Sequence, residues 1–161
     1  LENWNFDEKN VDNELIRQLS QGVLAEEQAK LLSKYTLSRI TKLKIFDELK
    51  GYDLYREKQF IASFKARDLG YADTDGEMLV QGVIDLLAIK DGRATIIDLA
   101  VKCDEAIIVD YKDSGKSGEE LLATYRPQLV LYKKAVEKIL KLKVTRAVLL
   151  SLRTGEAVDV E

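Results

Sequence analysis

Two apolar runs that each close on an acid constrain this chain more than any other feature. The first is Gln81-Gly82-Val83-Ile84-Asp85 and the second is Ile107-Ile108-Val109-Asp110-Tyr111-Lys112. Short apolar runs rich in β-branched residues read as strands. Residues i and i+2 of a strand point to the same face, so Asp110 and Lys112 project together. Carboxylate oxygens are hard ligands suited to Mg²⁺ or Mn²⁺. A bound metal polarises a phosphate and lowers the pKa of a water. An ammonium group positions that water or offsets charge developing on phosphorus. Two acids and a lysine in this order are what metal-dependent phosphodiester hydrolysis needs, so the residues point to a nuclease.

Composition narrows the setting. At 161 residues the chain is one domain, long enough to bury a substantial core. Its 46% hydrophobic and 33% charged content excludes disorder except at the extreme ends. The single cysteine, Cys103, rules out an internal disulfide and a thiolate cluster for zinc or iron–sulfur, which fits a reducing cytoplasm. No apolar run approaches the ~20 residues of a membrane span, and no signal-peptide pattern opens the chain. The chain starts at Leu1 and its only methionine is Met78, which reads as a piece of a longer protein. The net charge is -3. A free-standing duplex binder carries a basic stripe, because phosphate neutralisation supplies most non-specific affinity. An acidic nuclease domain works more easily on DNA delivered by another module.

The first third reads as helical, with segments over Val11–Leu19 and Leu24–Tyr35. Leu37, Ile40, Leu43, Phe46 and Leu49 recur every three residues and predict one further helix that stops at Gly51, all three serving as packing scaffold. Strands are predicted over Leu54–Phe64 and Met78–Ile89, with Asp73-Thr74-Asp75-Gly76 as the turn between them. The Asp91-Gly92 hairpin signal leads into a strand over Ala94–Val101, followed by Ala106–Tyr111. After the polar loop from Asp113 to Gly118, a helix extends to about Leu140, starting near Glu119 or restarting with Pro127 in its first turn. Val144–Leu152 and Ala157–Val160 finish as strands. This order predicts an α/β fold: a mixed central sheet flanked by helices, its acids at one edge, behind an N-terminal helical segment.

On the long helix, Tyr125, Gln128 and Tyr132 share one face. An amide and two phenols there can hydrogen-bond phosphates or stack on unpaired bases. The alternative is that the tyrosines pack in the core and the glutamine caps a strand carbonyl.

Gly82-Val83-Ile84-Asp85, Asp110-Tyr111-Lys112 and Gln128-Leu129-Val130-Leu131-Tyr132 resemble the three successive motifs of the RecB-type nucleases. These are a branch of the restriction-endonuclease-like PD-(D/E)xK superfamily. Tyr55-Arg56-Glu57-Lys58-Gln59-Phe60 and Tyr132-Lys133-Lys134-Ala135-Val136-Glu137 are similar to the C-terminal nuclease domains of the AddA (RexA) helicase–nuclease family. The resemblance implies one nuclease domain over 1–161, a helical lead-in at 1–51 and a core at 52–161. It implies Asp85 and Asp110 as metal ligands, the Tyr111 carbonyl as a possible third, and Lys112 as the catalytic lysine. Gln128, Tyr132 and Tyr125 would support the site or contact DNA. Glu57 occupies a recurring position with no clear ligand role. The cofactor would be Mg²⁺, with Mn²⁺ or Ca²⁺ as substitutes. ATP would belong to a helicase portion outside this chain, which has no phosphate-binding G-x-x-x-x-G-K-[ST] loop. The implied role is DNA degradation in double-strand-break repair, on single strands fed by the attached motor, beside a second AddB/RexB-like subunit.

Two departures stand against this pattern. The family commonly places an upstream histidine among its ligands, and this chain has none. Residues 1–6 resemble the segment just after the helix that carries it. The step from Asp85 to Asp110 spans 25 residues, longer than a single hairpin. Within it, Ala94-Thr95-Ile96-Ile97-Asp98-Leu99-Ala100 mirrors Ala106 to Lys112, offset by 12 residues. Asp98 has the more usual distance from Asp85, but Ala100 stands where the lysine belongs, so Asp110 is the preferred ligand. Two alternatives remain at this point: a catalytically silent nuclease fold kept for DNA guidance or subunit docking, and an unrelated α/β binding domain.

Overall fold

Polar side chains set the helix boundaries of the first third. Helix α1 (Val11–Ser20) begins at Asn10, whose side chain accepts from the amides of Asp12 and Asn13. The segment expected as one helix over Leu24–Tyr35 is instead α2 (Glu26–Leu31) and the start of α3 (Lys34–Ile40). Leu32 is extended and Ser33 accepts the Thr36 amide at 3.2 Å, a cap that starts a new helix. The stripe from Leu37 to Leu49 also divides, between α3 and α4 (Lys44–Glu48), at the extended Leu43. A three-residue spacing drifts around a helix of 3.6 residues per turn, so one straight helix would carry Leu37 and Leu49 about 120° apart. Breaking the helix lets Ile40, Ile45, Phe46 and Leu49 all reach the core.

The computed structural model describes residues 3–71, 76–90, 93–96, 99–102 and 105–160, with backbone alone for 93–96 and 99–102. Strands β1 (Asp53–Lys65) and β2 (Glu77–Lys90) form a long antiparallel pair. The predicted strand over Ala94–Val101 is not continuous. It is β3 (Arg93–Ile96) and β4 (Leu99–Lys102), paired antiparallel as a separate two-stranded sheet. The reason lies in the register around it. Lys90 of β2 pairs with Glu105 of β5 (Glu105–Lys112), so β3 and β4 come after the end of the β2–β5 ladder and pair outside it. The turn expected at Asp91-Gly92 and all but Gly76 of the one expected at Asp73–Gly76 lie outside the described residues.

The main sheet has the order β1-β2-β5-β6-β7, with β6 (Lys143–Ser151) and β7 (Ala157–Asp159). Among the described residues only β5 and β6 are parallel, and α5 (Gly118–Leu140) connects them. Ser117 and Glu120 form a reciprocal cap at the start of α5, and the helix runs unbroken through Pro127. Each face of the sheet has its own core. Trp4, Phe6, Leu15 and Phe46 of the helical lead-in cover Leu86 and Val109, whereas Leu129, Tyr132 and Val136 of α5 cover Ile84, Leu87 and Ile108. This mixed sheet between helical layers is compatible with a restriction-endonuclease-like fold. The two acids sit on the inner strands β2 and β5 and not on an edge strand, because β6 and β7 extend the sheet beyond them.

Candidate active site

The site forms where β2 parts from β5. Their pairing ends at Leu86↔Val109, and the next residues along are Asp85 and Asp110. Beyond the last pair, the Asp85 carboxylate takes over as acceptor: Tyr111 N–H donates to its Oδ2 at 2.6 Å. That bond pins Asp85 against β5 beside Asp110. Lys112 O accepts the Leu152 amide on the other side of β5. Carbonyls alternate along a strand, so the Tyr111 carbonyl is directed to the same side as Asp85.

Asp110 is 1% exposed, and β6 flanks its strand on the far side. Lys112 Nζ lies 2.5 Å from Asp110 Oδ2, an ion pair by distance. This ion pair is the contact that offsets the burial of the Asp110 carboxylate. Burial raises the Asp110 pKa above the ordinary carboxylate value; the Asp85 charge adds to the rise and the Lys112 ammonium opposes it. Burial likewise pushes the Tyr111 hydroxyl up, with Asp85 and Glu57 reinforcing and Arg56 opposing.

These donors fit a hard divalent cation in kind. Two carboxylates converge, one of them buried, and a carbonyl is turned to the same side. Among the described residues, however, no three His, Cys, Asp or Glu side chains gather, so carbonyl or water oxygens must complete any coordination shell.

The helix face contributes a cationic and aromatic wall. The Tyr125 ring has Lys112 Nζ 4.8 Å and Lys116 Nζ 5.4 Å from its centroid. Lys116 also donates to Thr124 Oγ1 at 2.9 Å. Sequence reasoning passed over Lys116; its signal was a second lysine in the polar loop immediately after Lys112. Gln128 Nε2 donates to the Tyr132 hydroxyl at 2.6 Å, not to a strand carbonyl. Tyr132 is a core residue that meets Phe60 edge-on, centroids 5.3 Å apart. Both rings press on Gly82, where a Cβ would lie 2.8 Å from Phe60 Cε1 and 3.0 Å from Tyr132 Cε1. Asp85, Asp110, Tyr111, Lys112 and Tyr125 are thus brought together, with the Gln128–Tyr132 pair further along α5. Glu57 is exposed and has φ +48°. Asp98 lies outside the described residues.

No protein-family model matches the chain. It is similar to an ATP-dependent helicase/nuclease subunit of Syntrophomonas wolfei, 27% identical over 158 residues that cover 95% of this chain and 12% of that protein. The protein of the same name from Carboxydothermus hydrogenoformans is 32% identical over 133 residues, covering 78% of this chain and 10% of its own length. That of Geobacillus kaustophilus is 28% identical over 160 residues, 97% of this chain and 13% of its own. The chain therefore spans about an eighth of the length of these curated relatives.

Proposed function

We propose, for a chain related over nearly its whole length to one stretch of these ATP-dependent helicase/nuclease proteins, that this domain is a metal-dependent DNA nuclease. The observation that carries this reading is the Asp110 carboxylate, buried and paired with Lys112, beside the pinned carboxylate of Asp85. Asp85, Asp110 and the Tyr111 carbonyl would hold Mg²⁺ or Mn²⁺. Bound there, the ion supplies an electrophile for the phosphodiester and a more acidic water. Lys112, held between Asp110 and the Tyr125 ring, orients that water or donates to a phosphate oxygen as charge develops. Tyr125 offers a face for a base to stack on, and the Gln128–Tyr132 bond holds the Tyr132 ring where it meets Gly82 of β2. The substrate is single-stranded DNA delivered by an attached motor, in a bacterial cytoplasmic complex with a second subunit that works on broken DNA. ATP binds the motor. Among the described residues no helix is long and apolar enough to cross a membrane.

A second reading, a silent module for DNA guidance or subunit docking, draws on one observation. The Lys112 ammonium already neutralises Asp110, and no third carboxylate or histidine stands by among the described residues. Digestion of fluorescent single-stranded DNA in Mn²⁺ separates the two, using this chain and the longer protein that would carry it. Asp110→Asn should abolish cleavage while raising the melting stability of the metal-free protein by about 0.5–2 kcal/mol, since an amide buries no charge. Lys112→Ala should lower the rate about 10²–10³-fold. Cleavage that survives Asp110→Asn sinks the nuclease reading. Absence of both metal binding and cleavage in either chain favours the silent module.

A further inference from the structure

The β1–β2 pair exchanges its faces partway along. In β1, Leu54 packs on the lead-in helices and Arg56 donates to Trp4 O on that same side. Phe60, Ala62 and Phe64 face α5 instead, with Ala135. All five are even-numbered, and side chains alternate strictly in a regular strand, so the strand turns over between Arg56 and Phe60. In β2, Leu86 and Ala88 face the lead-in helices, whereas Ile84 and Val80 face α5. That strand turns over between Ile84 and Leu86.

The register shows that both reversals occur at one place. Arg56 pairs with Leu86 and Lys58 with Ile84, so no residue is gained or lost; the ladder skips only the position between them, where Glu57 lies opposite Asp85. Glu57 is there with φ +48°, one of two non-glycine residues with positive φ among those described. L-residues adopt this left-handed conformation reluctantly, and a single such residue rotates the chain that follows it. A strand that turned over on one side of the pair alone would break the ladder. β2 therefore turns at Asp85, and the turn releases Asp85 from the β1 ladder so that its carboxylate can cap Tyr111 N–H.

We infer that Glu57 is a positioning residue for Asp85, acting through its left-handed backbone and not through its carboxylate. This inference rests on the nuclease reading for its importance, but its geometry can be read without metal. The Tyr111 amide reports it directly, because Asp85 is the acceptor that shields it.

The test compares Glu57→Gly, Glu57→Asn, Glu57→Gln and Glu57→Val by hydrogen exchange of the Tyr111 amide in metal-free protein, and by calorimetric Mn²⁺ binding. Glycine and asparagine accept positive φ, glutamine keeps the side-chain shape without its charge, and valine resists positive φ most. Tyr111 protection and Mn²⁺ affinity should persist in the Gly, Asn and Gln variants. In Glu57→Val both should fall about tenfold or more, the scale set by forcing a left-handed residue out of its conformation, while Val109 and Ile108 amides hold. If valine does not fold, Gly against Gln still decides: loss in both assigns the effect to the carboxylate and overturns the proposal. Unchanged Tyr111 protection in a folded Glu57→Val overturns it too. If wild-type protein binds no Mn²⁺ yet the Tyr111 pattern holds, the metal reading fails and the positioning role stands.

Discussion

Gly82→Ala is the sharpest test of how the hairpin and α5 are fitted together. The added Cβ would stand 2.8 Å from both Cε1 and Cζ of Phe60 and 3.0 Å from Tyr132 Cε1, where ordinary carbon contacts begin at 3.4 Å. The obstacle is two rings that brace each other edge-on, and Tyr132 is tied to Gln128, so neither can swing aside freely. Overpacking of this kind costs about 1–3 kcal/mol. For a domain of this size the melting temperature should drop by about 2–12 °C. Circular dichroism melts of Gly82→Ala, Phe60→Leu and the double variant form a cycle. Phe60→Leu removes the two shortest contacts, so Gly82→Ala should cost less than half as much in that background. An equal cost in both backgrounds would refute the close-approach argument and point to the backbone freedom of glycine instead.

Two further outcomes follow from side chains away from the paired acids. Glu14 is buried, which raises its pKa, yet hydrogen bonds from Arg17, Gln18 and the Asn5 amide outweigh burial and hold it below the usual carboxylate range. Its stabilising contribution is therefore complete above the unfolded pKa and is lost as pH falls through the lower folded value. Glu14→Gln should cost about 1–3 kcal/mol at neutral pH and flatten the acid side of the stability profile; an unaltered acid slope would refute the assignment. Lys116→Ala should weaken single-stranded DNA binding in Ca²⁺ and reduce the salt slope by about 0.7, with the melting temperature unchanged; an identical slope would remove Lys116 from the DNA surface.

The order of strands and the long helix were legible because they rest on local pattern. Apolar or half-apolar runs ended by turn signals mark β1, β2, β5 and β6, and the polar loop from Asp113 to Gly118 announces α5. The pattern leaves the start of α5 open between Glu119 and Pro127, and the Ser117–Glu120 cap fixes it. The helical lead-in was less legible, because a stripe of apolar residues at spacing three fits a broken pair of helices as well as one. The Ala94–Val101 segment misled for a similar reason: its pattern suits a strand, and only the pairing of Lys90 with Glu105 forces β3 and β4 to fold against each other. In the site, Asp110 and Lys112 followed from strand alternation, and Tyr125 from helix spacing. The reversal at Glu57 and the close approach at Gly82 had no such signal, since each depends on residues distant in sequence.

The strand that carries Asp110 also explains why the internal repeat is unequal. β5 is paired on both sides, with β2 and with β6, so its backbone is fixed where Asp110 and Lys112 leave it. β3 and β4 pair only with each other in a separate sheet, and Ala100 replaces the lysine there. A carboxylate buried to 1% exposure is a liability in any fold, and its ion pair with Lys112 offsets only part of it. Packing alone would favour an amide or an apolar residue at that position. A cation bound beside Asp85 would turn the same arrangement into a favourable one. The cost of Asp110 to the metal-free fold and the gain it would give a bound cation are therefore two readings of one geometry. Melting Asp110→Asn against wild type, with and without Mn²⁺, measures both: the variant should be the more stable without metal and should gain less when Mn²⁺ is added.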